Sequence, residues 1–401
     1  MKMSQKILII CDMSDVNQSQ FVETMTNKSV FDVRCLTSSN YAPVGQKISD
    51  EYIFKYNPWP NLPVDSGIKQ IALQLNPVVK RHYNNLHKHI NPDVVLTLGV
   101  TKHLFFTNVV ECNSSILLPQ GAETARATVT PNWTNNWLKK GVFRVVYRPL
   151  FKQLLSHVDE VWTAAPNRDT FVDLGLPEER FRAFDWGEVD TDLFRPRDDA
   201  VEFVDDPKTT VIGCFRRIRG HALERSYGLF IDAVAALAER RDDFHVVIGG
   251  FYPDGRSDHM EGFIDDRIAA RGVADRITKV GMVPKTDLPR YLSGLDVYVD
   301  LPHEFVLQGT GTASKEAMAA GCAFVTYDRP DMPLRYAIPE DAGVLISYDE
   351  PETMVDELES LCAHPDRSAN LGERARQHMI ERFSQEAVAA RVEDILREVV
   401  G

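Results

Sequence analysis

The sequence predicts an α/β protein built from two doubly wound, Rossmann-like domains. Three observations carry this. Short apolar segments alternate with helical segments, and the series runs twice along the chain. The length of 401 residues exceeds one ordinary core and suits two domains of roughly 150–200 residues. A charged segment containing Pro207, Arg197 to Lys208, separates the two series and reads as the linker.

The first series opens with Lys6 to Asp12, a continuous apolar strand of the kind a parallel sheet buries on both faces. The loop after it, 13–18, lacks glycine, so no dinucleotide fingerprint is present there. Val30 to Leu36 is the second strand. Asn40 to Asp65, rich in Pro, Asn and Tyr, reads as a long loop or irregular insertion. Gly67 to His89 is helical by its apolar spacing, and Asn91 to Gly99, Ser115 to Leu118 and Asp159 to Ala164 are further strands. In the second series the strands are Val211 to Cys214, His245 to Ile248, Ile277 to Val280, Val297 to Leu301 and Ala323 to Tyr327. Helices cover Ser226 to Arg240, Gly262 to Arg271, Lys285 to Leu295, Pro351 to His364 and a long final stretch, Ser368 to Val400. The expected domains are 1–200 and 206–382. The terminal helix, 383–401, is expected to cross back to the N-terminal domain.

Composition excludes several classes. The net charge of −13 argues against non-specific nucleic-acid binding. No apolar run reaches the roughly 18 residues needed to span a bilayer, and Ile7 to Ile10 is a strand and not a signal-peptide core. A cytoplasmic location is expected. The six cysteines lack CxxC pairs, which argues against a zinc site or a disulfide framework. One block departs from the acidic background. Between Ala125 and Val158 there is no Asp or Glu, while Arg126, Lys139, Lys140, Arg144, Arg148 and Lys152 interleave with Trp133, Trp137, Phe143, Tyr147 and Phe151. A peripheral contact with the inner membrane face is one reading, and a helix with core aromatics and solvated cations is the plainer one.

The chemistry concentrates at strand ends of the second series. Arg216 and Arg217, with Arg225, follow the first strand. Gly249 and Gly250 end the second, and Gly281 to Pro284 the third, where the backbone of Val283 is placed to meet a base edge. The fourth strand leads into Gln308, Gly309, Thr310 and Gly311, and then a helix that carries Ser314, Lys315 and Glu316. Such a loop, opening into a helix N-terminus at the carboxyl end of a parallel strand, suits an anionic ligand. Guanidinium groups opposite it would clamp a diphosphate, and Glu316 would accept hydrogen bonds from ribose hydroxyls.

These residues resemble a known family. The stretch Gln308-Gly309-Thr310-Gly311 followed by Glu316-Ala317-Met318-Ala319-Ala320-Gly321-Cys322-Ala323-Phe324-Val325 is similar to the E-G-F-G and E-A-M-A-x-G-x-P-V-V elements of retaining GT-B glycosyltransferases of family 4. Gln308 and Glu316 stand in the family's eight-residue register. Trp186-Gly187-Glu188-Val189-Asp190 with Phe194 and Pro196 resembles N-G-V-D-x-x-x-F-x-P, with one residue inserted. The resemblance covers roughly the last 240 residues. It implies two Rossmann-like domains facing a cleft, with a nucleotide-sugar donor (a UDP- or GDP-sugar) on the C-terminal domain and a glycan, lipid-linked or other hydroxyl acceptor on the N-terminal one. It also implies transfer with retention, and neither a prosthetic group nor a metal. On this basis Arg217 and Arg225 hold the phosphates and Gln308 meets the sugar. Gly309, Thr310 and Gly311 supply backbone donors near the sugar, and Thr312 is on the donor side. Arg216, Gly250, Val283, Glu304 and Glu316 complete the donor side, and Gln120, Gly121 and Glu123 face sugar or acceptor.

The sequence departs from the pattern in three places. A neutral amide, Gln308, stands where the family has a carboxylate, with Glu304 four residues before it as a substitute. Arg225 replaces a lysine, and the glycine-rich first loop is absent. A nucleotide-sugar epimerase of related two-domain fold is the alternative enzyme. A glycosyltransferase-like binding protein, suggested by Gln308, is the non-enzymatic one.

Overall fold

The computed structural model describes residues 5–400 apart from 14, 38–39, 42–44, 46, 57–75, 100–113, 120–136, 138–140, 142–143, 146–147, 186, 219–222, 302–310, 329–333, 336, 348 and 351. The chain forms two compact units. Residues 1–188 and 385–401 belong to the first, and 189–305 and 309–384 to the second.

The first unit runs β1 (Lys6–Cys11), α1 (Val16–Lys28), β2 (Asp32–Thr37), β3 (Ile53–Lys55), α2 (Pro77–Ile90), β4 (Val94–Leu98), β5 (Ser114–Leu118), α3 (Arg148–His157), β6 (Glu160–Thr163), α4 (Arg168–Asp173) and β7 (Phe181–Ala183). The sheet order is β3-β2-β1-β4-β5-β6-β7, and all of its pairings are parallel. Helix α1 starts where the Asp15 carboxylate accepts from the backbone N–H groups of Asn17 and Gln18, both at 3.1 Å. Alternate residues of the strands feed opposite faces. Ile7, Ile9, Val94 and Leu96 meet Phe21, Val22 and Met25 of α1, while Leu8, Ile10 and Val95 meet Val79 and Tyr83 of α2.

The second unit runs β8 (Thr210–Ile218), α5 (Glu224–Ala238), β9 (Phe244–Phe251), α6 (Asp258–Arg271), β10 (Ile277–Gly281), α7 (Leu288–Ser293), β11 (Val297–Asp300), α8 (Thr312–Ala319), β12 (Ala323–Asp328), β13 (Val344–Ser347), α9 (Thr353–Ala363) and α10 (Pro365–Phe383). Its parallel sheet has the order β10-β9-β8-β11-β12-β13. Counted within the unit this is 3-2-1-4-5-6, the dinucleotide-fold order, and its switch point lies between β8 and β11. One face packs Ile212, Cys214, Val246 and Val299 on α5, α6 and α9. The other packs Val211, Phe215, Tyr298 and Phe324 on α7, α8 and α10.

Two expectations change. The final stretch is not one helix: α10 stops at Phe383, Ser384 takes an extended conformation (φ −59°, ψ 156°), and α11 (Gln385–Val400) begins after it. Helix α11 lies in the first unit, where Val388, Ala389, Val392 and Leu396 join the core beside α1. The segment 197–208 is no free linker. It belongs to the second unit, where the Val201 N–H donates to the Arg290 carbonyl at 3.0 Å and Phe203 packs edge-on against Tyr291. The change of unit falls earlier, at Glu188/Val189. The strand and helix readings otherwise hold where residues are described, with α2 starting at Pro77 and α7 shorter than expected. Strand β3, inside the stretch expected to be a loop or irregular insertion, strands β7 and β13, and helices α1 and α4 were not legible. Among the described residues no helix is long and apolar enough to cross a membrane.

Candidate nucleotide-binding site

The candidate site is built at the switch point of the second sheet. Strand β8 is buried until its last residues, where Arg216 and Arg217 emerge in succession. Period-two alternation sends their side chains to opposite faces. Arg216 Nη1 meets Asp300 Oδ1 of β11 at 3.2 Å, with both side chains mostly buried (17% and 12% exposed). Burial works against the guanidinium, but the Asp300 carboxylate beside it holds Arg216 charged above the usual arginine value. Arg216 therefore ties the two switch-point strands together instead of reaching outward. Arg217 is exposed, and its charge acts on Glu316 of α8.

Glu316 is a second buried carboxylate of the site, its side chain 7% exposed. Burial pushes its pKa above the usual carboxylate value. The Lys285 ammonium, 3.5 Å from Oε1, and the Arg217 guanidinium pull it back down without fully offsetting the burial. Lys285 stands in the turn between β10 and α7, one residue beyond the Gly281 to Pro284 strand end singled out from the sequence. It is the site residue that sequence reasoning missed. Around this cluster the Tyr298 hydroxyl donates to the Phe215 carbonyl at 2.6 Å, and its pKa is pushed well up by burial.

Helix α8 begins at Gly311, which has no side chain to cap the first turn; the Lys315 N–H returns to the Gly311 carbonyl at 3.1 Å. Thr312 opens the helix, and Ser314 in the same turn is fully buried with no hydrogen-bond partner for its hydroxyl among the described residues. Behind them Ala317, Met318 and Ala319 are buried against α10, and Gly321 turns the chain with φ +92°.

Gly250 and Val283, also expected at the site, have packing contacts, and Arg225 lies at the surface. Gly250 has φ +110°, and a Cβ there would lie 1.8 Å from the Arg216 carbonyl; one at Gly249 would strike the Phe215 ring at 2.5 Å. Both glycines allow β9 to lie against β8. Val283 turns a half-buried side chain into the core under α7. Arg225 is exposed in the first turn of α5. In the segment 187–196, Val189 and Phe194 are core residues, and Asp190 accepts from the Asp192 and Leu193 N–H groups in a local turn. Gln120, Gly121, Glu123, Glu304, Gln308, Gly309 and Thr310 lie outside the described residues. So does most of the basic aromatic segment, of which Trp137 and Val145 are exposed.

Residues 209–378 match the family of glycosyl transferases group 1. The matched span begins just before β8 and ends within α10, so it contains every described residue of the candidate site. No curated protein matches the chain. Among solved structures, sucrose-phosphate synthase from Thermosynechococcus elongatus is similar, with a TM-score of 0.71 at 17% identity, over 98% of this chain and 99% of that one. Anabaena HepE in complex with UDP and glucose gives 0.68 at 13% identity, over 98% and 100%. A Listeria monocytogenes protein, described provisionally as UDP-N-acetylglucosamine 2-epimerase, gives 0.57 at 13% identity, over 98% and 96%. At these identities the likenesses establish the fold: two Rossmann-like units of the GT-B type. With the group 1 domain match they support a GT-B glycosyltransferase.

Proposed function

We propose that the second unit binds the diphosphate and ribose of a nucleotide-sugar, a UDP- or GDP-sugar, and that the chain transfers the sugar with retention to a hydroxyl of a glycan or lipid-linked acceptor. The observation that carries this reading is the convergence of Arg217 and Glu316 at the β8–β11 switch point, beside a helix that opens on glycine. The group 1 domain match over 209–378 and the UDP in the HepE structure support the same donor class.

In this reading Arg217 and Arg225 hold the phosphates, with the first-turn N–H groups of α8 aligned toward them. As the glycosidic bond breaks, negative charge develops on the departing diphosphate, and fixed cations and N–H dipoles stabilise it more than they stabilise the intact donor. The acceptor hydroxyl attacks from the face the diphosphate leaves, which gives retention. Glu316, ionised, accepts from the ribose hydroxyls, and the backbone at Val283, beside the edge strand β10, meets the base. Gln308 with the loop 309–310, and Glu304, are assigned to the sugar; Gln120, Gly121 and Glu123 of the first unit are assigned to the acceptor side.

The test is a thermal-shift and calorimetric screen against UDP, GDP and ADP, followed by NMR of the product's anomeric configuration. Binding of none of the three would overturn the donor reading, and an inverted product would overturn retention. The Listeria neighbour keeps an epimerase as the second reading. An epimerase alters the sugar with no acceptor present, so incubation with donor alone separates the two.

A further inference from the structure

We propose that Lys285 is a positioning residue for the nucleotide site: its ammonium holds the buried Glu316 carboxylate ionised and aimed, so that both carboxylate oxygens can accept from ribose hydroxyls. The inference rests on the donor reading above, but its evidence is separate.

Glu316 is nine-tenths buried, in the second turn of α8. A carboxylate so placed loses hydration and tends to protonate. A protonated carboxyl donates one hydrogen bond and keeps reduced acceptor capacity, which suits a pair of ribose hydroxyls poorly. Among the described residues, three charged or titratable groups bear on Glu316. Lys285, from the β10–α7 turn, is 3.5 Å away. Arg217, from β8, acts on it through its charge. Tyr298, from β11, is a neutral phenol whose hydroxyl is committed to the Phe215 carbonyl. Three cations on the neighbouring helices have partners of their own. Lys315 of α8 sits over the Phe383 ring at 4.0 Å, Arg290 of α7 donates to the Asp199 carbonyl at 2.9 Å, and Arg376 of α10 donates to the Ala319 carbonyl. Among the described residues, Lys285 is thus the cation in contact with the carboxylate. Its side chain is 30% exposed, so the ammonium keeps part of its hydration while it neutralises a buried partner. Arg217 is left for the diphosphate.

The sign of the pH effect follows. The ionised form of Glu316 is the one that accepts from ribose, so nucleotide affinity falls as pH drops through the Glu316 pKa. Removing Lys285 removes a charge that pulls this pKa down, so the loss moves to higher pH. The experiment is titration calorimetry of the full chain with UDP and with GDP between pH 5 and 8, for wild type, Lys285→Met and Lys285→Arg. In parallel, carbon-13 NMR follows the side-chain carboxyls of labelled glutamate, with Glu316→Gln to assign the Glu316 signal.

Two results are expected together. In Lys285→Met the Glu316 carboxyl titrates at higher pH than in wild type, and at pH 6 its nucleotide affinity is about tenfold below wild type. Lys285→Arg restores both. An affinity loss in Lys285→Met that is equal at every pH would show direct contact with the nucleotide and overturn the proposal. An unmoved Glu316 titration would overturn it regardless of any ligand. If wild type binds neither UDP nor GDP, the donor reading falls, and the ribose part of this inference falls with it, while the carboxyl titration still reports on the pair.

Discussion

At the level of single residues, two adjacent arginines divide the work. Arg216 is committed to Asp300 across the switch point, and Arg217 is exposed. Arg216→Ala leaves a largely buried carboxylate without its partner and should destabilise the second unit by about 2–4 kcal/mol, read by urea unfolding. Arg217→Ala should leave stability within about 0.5 kcal/mol while weakening UDP or GDP binding about tenfold or more. If the two variants behave alike, the division is wrong. Glu316 gives a prediction of opposite sign. Its pKa is raised in the folded chain, so between its unfolded and folded values the native state holds more protons, and stability falls as pH rises through that window. Above the window, ionised Glu316 is a net cost to folding. Glu316→Gln should therefore raise the melting temperature at pH 7.5, by about 2–4 °C for each kcal/mol recovered, while lowering nucleotide affinity. A lower melting temperature would show that Glu316 serves the fold. Sequence spacing was enough to find Glu316, because the eight-residue register is local. It could not find Lys285, whose pairing spans 31 residues and leaves no periodic mark. Nor did it separate Arg216 from Arg217, although strand alternation alone puts them on opposite faces.

At the level of elements, helix α10 is the clearest case of packing written as a single residue. Gly372 sits in its interior, where glycine costs a helix about 1 kcal/mol relative to alanine. A Cβ at that position would lie 2.0 Å from the Gly321 carbonyl and 3.3 Å from the Ala323 N–H. The glycine lets α10 press against the turn that ends α8 and starts β12, and Arg376, one turn on, donates to the Ala319 carbonyl. Gly372→Ala should lose about 2–3 kcal/mol despite its better helix propensity, measured by chemical unfolding. A stabilised variant would show that the turn can yield. Strands and helices of the second unit were legible because β8, β11 and β12 are nearly continuous apolar runs, as parallel strands buried on both faces must be. The edge strands β3, β7 and β13, of three or four residues each, carry too little pattern to detect. The break at Ser384 had a signal, a serine followed two residues later by Glu386, but unbroken helix formers on both sides masked it.

At the level of the whole molecule, domain count was legible and domain membership was not. Length and the doubled strand-helix series gave two units; where the chain changes from one to the other depends on contacts between distant residues. Glu188 belongs with the first unit, where Thr24 Oγ1 donates to its carboxylate at 3.3 Å, and Val189 belongs with the second, paired with Ser384. Helix α11 is the first unit's last piece. Its Glu393 accepts from the Val30 N–H at 2.7 Å, and Val392 is fully buried. Val392→Asp places an unpaired charge in that core and should destabilise the first unit by about 3–5 kcal/mol. Calorimetry should then show one early transition and a later one that nucleotide still shifts. A lowering of both transitions would mean that the two units unfold as one.

The chain order of these pieces sets the order in which the protein can be completed on the ribosome. The second unit is encoded by a continuous stretch from Val189 to Ser384, interrupted only by 306–308, and all of it emerges before α11. The first unit begins to emerge earlier, yet the part of the α1 cluster that Val388, Val392 and Leu396 cover stays open until α11 appears. At about 5–20 residues per second, the interval between Glu188 and the last turn of α11 is roughly 10–40 s. For that time an apolar helix face waits for a partner, and the half of the protein made first is the half finished last.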